Sequence, residues 1–215
     1  MKIFVAAATI AEIEPLIESA HLPPHKLIIT GVGALAAAYS LTKLIHEEKP
    51  DLIIQAGIAG AFKENFLGEV CIVKQDRFAD VGVQENGQWH DVFDMGLTNK
   101  DEAPYSNGWL VNGHAIINKV ALPLVSSITI NEITTNNTRI ESLKSKYRPE
   151  IESMEGAALH FVCLQEEVPF IQLRAVSNYV GERNKSKWEM PLAIKKLNIA
   201  LEDLLTGIGS KMESA

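Results

Sequence analysis

Six short apolar runs, rich in β-branched residues and nearly unbroken, recur along this chain at residues 3–7, 27–30, 52–56, 70–73, 128–133 and 170–176. Successive side chains of a strand point to opposite faces, so a strand reads as continuously apolar only when both faces are covered. The cover is visible between the runs. Residues 34–48, 155–167 and 191–205 repeat apolar positions at intervals of three and four, with polar residues on the other side of each helix. Doubly buried strands alternating with amphipathic helices predict a three-layer α/β/α sandwich. Residues 1–215 contain no linker-like stretch and are expected to form one domain around a substantial core. Ligands of such sheets collect beyond the carboxyl ends of the strands, and functional residues are sought there.

The balance of charge narrows the partner. A net charge of −7 and a pI near 5.4 argue against nucleic acid, because a phosphate backbone needs a basic face, and point to a small molecule. Cys71 and Cys163 each sit in an apolar run without a second cysteine or histidine at ligand spacing, so both read as reduced core thiols. The six histidines show no metal spacing either, and no metal or organic cofactor is expected. The N-terminal residues 1–8 have the look of a short export signal, but Glu12 and Glu14 follow at once, and the stretch reads as the first strand. No apolar run approaches the roughly twenty residues of a membrane helix. A cytoplasmic protein with no membrane partner is the expectation.

Two glycine-bearing turns leave strands. Thr30-Gly31-Val32-Gly33 enters a helix but lacks the third glycine of a dinucleotide fingerprint. Gln55-Ala56-Gly57-Ile58-Ala59-Gly60 lets backbone N–H groups approach a ligand or water, or serves packing alone. Residues 76–110, with glycines and Pro104 among polar residues, break the alternation and predict a long loop with a short hairpin, of the kind that forms functional lids.

Three polar residues stand where a site would form. Glu12 follows the first strand, where a carboxylate either orients and deprotonates a water or rests as a charge on the first turn of a helix. Glu155 opens a helix whose next residues, Gly156, Ala157 and Ala158, imply close packing; its carboxylate then points into a cleft, where a vicinal diol is a natural partner, or is a helix-start charge. Asn178 ends the last strand. Its amide is either a turn former or a donor to the N7 and 6-oxo oxygen of a purine such as hypoxanthine, where a protonated aspartate would suit a 6-amino base instead. Trp188, after the basic stretch from Arg183, either caps the site or docks a helix.

Taken in order, Glu12, the Thr30–Gly33 turn, Lys49-Pro50-Asp51-Leu52-Ile53-Ile54 leading into Ala56–Gly60, Ser153-Met154-Glu155-Gly156-Ala157-Ala158 and Arg174-Ala175-Val176-Ser177-Asn178-Tyr179-Val180-Gly181-Glu182-Arg183-Asn184 resemble the nucleoside phosphorylase and nucleosidase superfamily. Within it they are most similar to the futalosine hydrolases of menaquinone biosynthesis. The resemblance implies a central twisted mixed sheet of phosphorylase/hydrolase-like architecture. It also implies release of hypoxanthine and dehypoxanthine futalosine by hydrolysis, and a homodimer or higher homo-oligomer. Carried over, it makes Glu12 the activator of water, Glu155 the ligand of the ribose hydroxyls and Asn178 the contact to the base. Met154 packs on the sugar, and the backbone at Ala56, Gly57 and Ile58 bounds the nucleophile. Arg183, Trp188 and Phe78 are candidates for the carboxyphenyl end of futalosine. Asn178 stands where methylthioadenosine nucleosidases carry aspartate. Arginine and lysine are absent from both glycine turns, which favours water over phosphate as nucleophile. A methylthioadenosine/adenosylhomocysteine nucleosidase, a purine nucleoside phosphorylase and a non-catalytic nucleoside-binding module remain the alternatives.

Overall fold

The apolar runs become strands of one nine-stranded sheet in the computed structural model, which describes residues 1–19 and 22–212, with side chains through residue 208. In chain order the strands are β1 (Ile3–Ala7), β2 (Lys26–Ile29), β3 (Leu52–Ala61), β4 (Val70–Asp76), β5 (Gly82–Glu85), β6 (Gln88–Asp91), β7 (Tyr105–Ser106), β8 (Trp109–Val111), β9 (Leu124–Thr129), β10 (Ile151–Ser153) and β11 (Phe170–Tyr179); β5 and β6 form a separate hairpin. The helices are α1 (Ile10–Ile17), α2 (Ala34–Glu48), α3 (Asn137–Tyr147), α4 (Gly156–Gln165) and α5 (Met190–Met212).

β3 organises the sheet because its ten residues are long enough for three partners. β1 pairs in parallel along its first half, β10 antiparallel at its end, and β11 in parallel along its other edge. β11 continues to β4, β4 to β9 and β9 back to β10. The path β3–β11–β4–β9–β10–β3 therefore closes into a small barrel, and β1 and β2 extend from it as an open wing. Parallel and antiparallel pairs coexist, as a mixed sheet requires.

Alternation along the strands sorts the core into two layers. Val5 and Ile54 pack with Ile13 and Leu16 of α1 and Leu197, Leu201 and Leu205 of α5, whereas their neighbours Phe4 and Ile53 pack with Leu41 and Ile45 of α2 and Leu159 and Cys163 of α4. Each such side chain, once buried, contributes roughly 1.5–3 kcal/mol. Ala34 and Ala37 of α2 meet Ala158 of α4, and these small residues bring the two helix starts close together. Cys71 and Cys163 are buried and unbridged, and burial pushes both thiols up, Cys71 to about 12. No helix among the described residues is long and apolar enough to cross a membrane.

Three expectations need correction. The apolar run at 128–133 straddles a boundary: β9 ends at Thr129, having started at Leu124 to pair with Ile72 of β4, and residues 130–133 leave the sheet. The Gln55–Gly60 segment, expected as a turn leaving a strand, runs on as strand, because β3 continues from Leu52 to Ala61 and stays paired with β11 along this stretch. The 76–110 excursion is no lid over the site described below. It is pinned against α3, where Arg77 pairs with Asp91 at 2.8 Å and its guanidinium lies 4.0 Å from the Tyr147 ring centre, while the Tyr147 hydroxyl donates to Asp91.

Candidate active site

At the carboxyl ends of β1, β3 and β11 lies a cavity of about 330 Å³. Glu12, Glu155 and Asn178, distant along the chain, all line it, and so do Ile58, Met154, Arg183 and Trp188. Each polar group is held in place by the local fold.

Glu12 is the third residue of α1 and is buried. One carboxylate oxygen, Oε2, accepts the N–H of Thr9 at 2.9 Å and its hydroxyl at 3.2 Å, closing the helix start by the usual reciprocal cap. The other, Oε1, accepts the N–H of Ile58 at 3.2 Å, which ties α1 to the second half of β3. Gly57 beside it must lack a side chain: a Cβ there would overlap Nη1 of Arg174 and stand 3.0 Å from Glu12 Oε1. The glycine thus marks the spot on which a carboxylate and a guanidinium converge.

Glu155 caps α4 from outside. Its Oε1 accepts the N–H of Gly33 at 3.0 Å, at the positive N-terminal end of α2, and its Oε2 faces Arg174 Nη1 at 3.6 Å. Gly33 has a φ of +93°, a left-handed value that aims its N–H at the carboxylate and that glycine adopts without strain. Close packing beneath Glu155 is real: a Cβ on Gly156 would collide with Gln172 and the buried Asp76. Arg174, 1 % exposed on β11, also donates from Nη2 to Gln55 at 2.7 Å.

Asn178 owes its aim to an irregularity. β11 runs in register with β3 as far as Val176 opposite Ala59, then Asn178 rather than Ser177 stands opposite Gly60. One extra residue in a strand redirects the side chains after it. The Ser177 hydroxyl donates to Asn178 Oδ1 at 2.8 Å, and Nδ2 donates to the Tyr179 carbonyl at 2.9 Å. The amide is therefore oriented with one Nδ2 hydrogen uncommitted.

The sequence profile of the Phosphorylase superfamily matches residues 24–206. The chain belongs to that superfamily. Among curated superfamily members it is similar to the 5'-methylthioadenosine/S-adenosylhomocysteine nucleosidase of Lysinibacillus sphaericus, 28 % identical over 191 residues covering 79 % of this chain and 75 % of the relative. It is equally similar to the futalosine hydrolase of Thermus thermophilus, 28 % identical over 196 residues covering 84 % and 80 %. Its architecture is that of the methylthioadenosine/adenosylhomocysteine nucleosidase of S. pneumoniae bound to a transition-state inhibitor, with a TM-score of 0.78 over 95 % of this chain and 98 % of the other at 22 % identity.

In this superfamily member not every expected position reaches the cavity. Ala56 is fully buried in β3, and Gly57 lies beneath Glu12 and Arg174 rather than on the cavity wall. Phe78 does not border it at all: it packs among Ala34, Ala37 and Ala158 and 6.5 Å from the Phe161 ring. Several lining or supporting residues carry no signal in the sequence that marks them as such, among them Ile130, Ile133, Arg174 and Glu152. Ile130 and Ile133 passed for strand core because cavity lining is as apolar as a core. Arg174 was hidden within a strand, where only an arginine amid a mostly apolar run signalled a buried partner. Glu152 sits one residue outside the motif that drew attention to Glu155.

Glu152 has a measurable signature. Burial pushes its carboxyl from the ordinary 4.5 up to about 7, against the lowering effect of hydrogen bonds from the Thr134 hydroxyl and N–H. The folded state therefore binds this proton more tightly than the unfolded chain does. The resulting stabilisation is complete below pH 4.5 and is lost as pH rises through 7. Glu152→Gln removes the dependence. Its thermal midpoint is expected to match wild type at pH 5 and to exceed it at pH 8 by the equivalent of about 2–3 kcal/mol. Parallel melting curves across that range check the expectation.

Proposed function

We propose that this protein hydrolyses the N-glycosidic bond of 6-oxopurine nucleosides, with futalosine as its substrate and hypoxanthine and dehypoxanthine futalosine as products, a step of menaquinone biosynthesis. The observation that carries the reading is one cavity in which the carboxylates of Glu12 and Glu155 meet the oriented carboxamide of Asn178. As the bond breaks, positive charge develops on the sugar and negative charge on the departing base. Glu155, anchored by Gly33 and Arg174, keeps lone pairs for the ribose 2'- and 3'-hydroxyls, and Met154 packs on the sugar. Glu12, placed with Arg174 over Gly57, takes a proton from the attacking water. The uncommitted Nδ2 hydrogen of Asn178 stabilises charge gathering at N7 and O6. The amide has no proton to give up, so the leaving base takes its proton from solvent.

Charge supports water over phosphate. The cavity is lined by Glu12, Glu152, Glu155 and Glu182, and the buried cation beside Gly57, Arg174, already faces Glu155 and Gln55. A phosphate dianion would enter a negative site. At the rim, Arg183 lies 5.6 Å from the Trp188 ring centre and makes no ion pair among the described residues, which suits an apolar slot closed by a cation for a benzoate. Homodimer formation belongs to the same reading: Leu35 and Tyr39 of α2 are 85 % and 71 % exposed, near Val32 at the cavity mouth.

A second reading, hydrolysis of methylthioadenosine, is favoured by the name of the Lysinibacillus relative. Purified protein incubated with futalosine, inosine and methylthioadenosine, with and without phosphate, separates the two. Phosphate-independent hypoxanthine release, fastest from futalosine, is expected; faster adenine release would reverse the assignment. Asn178→Asp is expected to lower futalosine turnover by about 100-fold and to raise that of methylthioadenosine, because a carboxylic acid donates to N7 and accepts from a 6-amino group. Comparison of kcat/KM on both substrates checks it.

A further inference from the structure

Beneath the first turn of α4 lies an acid that the mechanism does not use. Asp76, the last residue of β4, is fully buried and does not border the cavity. Its Oδ1 accepts the Arg77 N–H at 2.7 Å and the Thr129 hydroxyl at 3.0 Å, and its Oδ2 accepts Gln172 Nε2 at 3.1 Å. Burial pushes the carboxyl from the ordinary 3.8 up to about 6, against the lowering effect of the Gln172, Arg77 and Thr129 bonds and of the Arg174 charge. The stabilisation that goes with the protonated form is complete below pH 3.8 and is lost as pH rises through 6, so at neutral pH the fold carries this charge at a cost.

What the charge does is visible one hydrogen bond further on. Thr129 Oγ1, its hydrogen committed to Asp76, accepts the N–H of Ala157 at 2.7 Å. Ala157 is the second residue of α4, and its N–H is among those that a helix start leaves without an internal partner. The preceding N–H, of Gly156, goes to Ser153 Oγ at 3.3 Å. A chain of N–H, O–H and carboxylate polarises along its length and ends on a charge that suits the positive end of a helix. Gly156 supplies a second, independent observation. A Cβ there would overlap Gln172 Nε2 and Asp76 Oδ2, so the helix start rests directly on the bonded pair of Asp76 and Gln172.

We propose that Asp76 is a positioning residue for Glu155: acting through Thr129 and the Gly156 contact, it fixes the first turn of α4 and with it the aim of the Glu155 carboxylate into the cavity. This rests on the reading of Glu155 as ribose ligand given above. Glu155 is joined to that turn by one peptide bond, and from there its side chain reaches the Gly33 N–H and Arg174. A displaced turn moves the carboxylate off both, and a hydrogen bond to a ribose hydroxyl weakens steeply with distance and angle. Asn178 is held differently, by bonds to Ser177 and Tyr179 within β11. Loss of Asp76 is therefore felt at the sugar and not at the base.

Discrimination between ribose and 2'-deoxyribose tests the assignment, because a ratio of affinities reads only folded molecules and a merely structural role leaves it unmoved. Inosine, 2'-deoxyinosine and hypoxanthine, or the adenine series should adenine be the base released, are measured at pH 8 as competitors of the better of futalosine and methylthioadenosine. Wild type is expected to hold the ribonucleoside about 10- to 100-fold more tightly than its 2'-deoxy form, the worth of a hydrogen bond to a charged acceptor. Asp76→Ala and Thr129→Val are expected to shrink that preference to about three-fold, with affinity for the free base within about two-fold of wild type. Thr129→Ser keeps the hydroxyl and is expected to keep the preference. Asp76→Asn is expected to keep it too: the amide oxygen still accepts from Thr129, and the Gln172 amide can turn over to accept from the new NH2 group, since its Oε1 has no partner among the described residues. A preference abolished by Glu155→Ala but unchanged in Asp76→Ala and Thr129→Val overturns the role of Asp76 and leaves Glu155 as ribose ligand. A preference that survives Glu155→Ala, or its absence in wild type, overturns that reading and the role of Asp76 with it. The two Thr129 variants keep the test decisive should Asp76→Ala fail to fold.

Discussion

Glu12→Gln is expected to slow hydrolysis by about 1,000-fold while nucleoside affinity stays within a few-fold of wild type, since a positioned general base contributes 10²- to 10⁴-fold. The carboxylate touches neither the ribose-binding pair of Glu155 and Gly33 nor the amide of Asn178, so the ground-state complex keeps its main contacts. The substitution also sets an NH2 group against a donor, because Glu12 accepts from Thr9 N–H on one side and Ile58 N–H on the other. One of those bonds is lost, at about 1–3 kcal/mol of fold stability. Single-turnover rates, inhibitor affinity and a denaturation curve separate the chemical loss from the structural one. Near-wild-type turnover in a folded Gln variant would remove Glu12 from the mechanism.

Arg174→Met is expected to destabilise the protein by about 3–5 kcal/mol, the usual result of stripping one partner from a buried ion pair. Glu155 would be left buried against the Gly33 N–H alone, and Gln55 would lose its donor. The paired variant Arg174→Met/Glu155→Gln is expected to recover most of the stability and none of the activity, since the uncompensated charge is gone but the ribose ligand and the cation over Gly57 are gone too. Arg174→Lys should not substitute: a point charge cannot donate to Gln55 and face Glu155 with a rigid fork at once. Urea denaturation of wild type, Arg174→Met, Glu155→Gln and the paired variant gives the coupling directly. Additive losses would mean that Arg174 and Glu155 do not depend on each other.

The layered fold was readable because burial on both faces leaves an unbroken apolar signature, as in Ile3–Ala7 and Leu52–Ala56, while amphipathic spacing marks the covering helices. Boundaries failed where apolarity had another cause. Ile133 lines the cavity, and Ile130 borders it while also packing in the core with Ile128 and Leu143, so nothing in their local pattern distinguishes lining from core. Phe78 is near the site only along the chain; its ring packs against the starts of α2 and α4 instead of bordering the cavity.

What the amino-acid order determined by itself was local: which segments alternate faces, where glycine is required, and which short motifs carry a carboxylate or an amide at an element's end. Those properties depend on backbone geometry and side-chain chemistry within a few residues. The tertiary structure alone decided convergence. It brought Arg174 against Glu155 and Gly57, used a one-residue bulge to turn Asn178 rather than Ser177 toward Gly60, and set Glu152 on that glycine's other edge. Register between distant strands is a property of the closed sheet, in which each pairing constrains the next, and no window of the chain contains it.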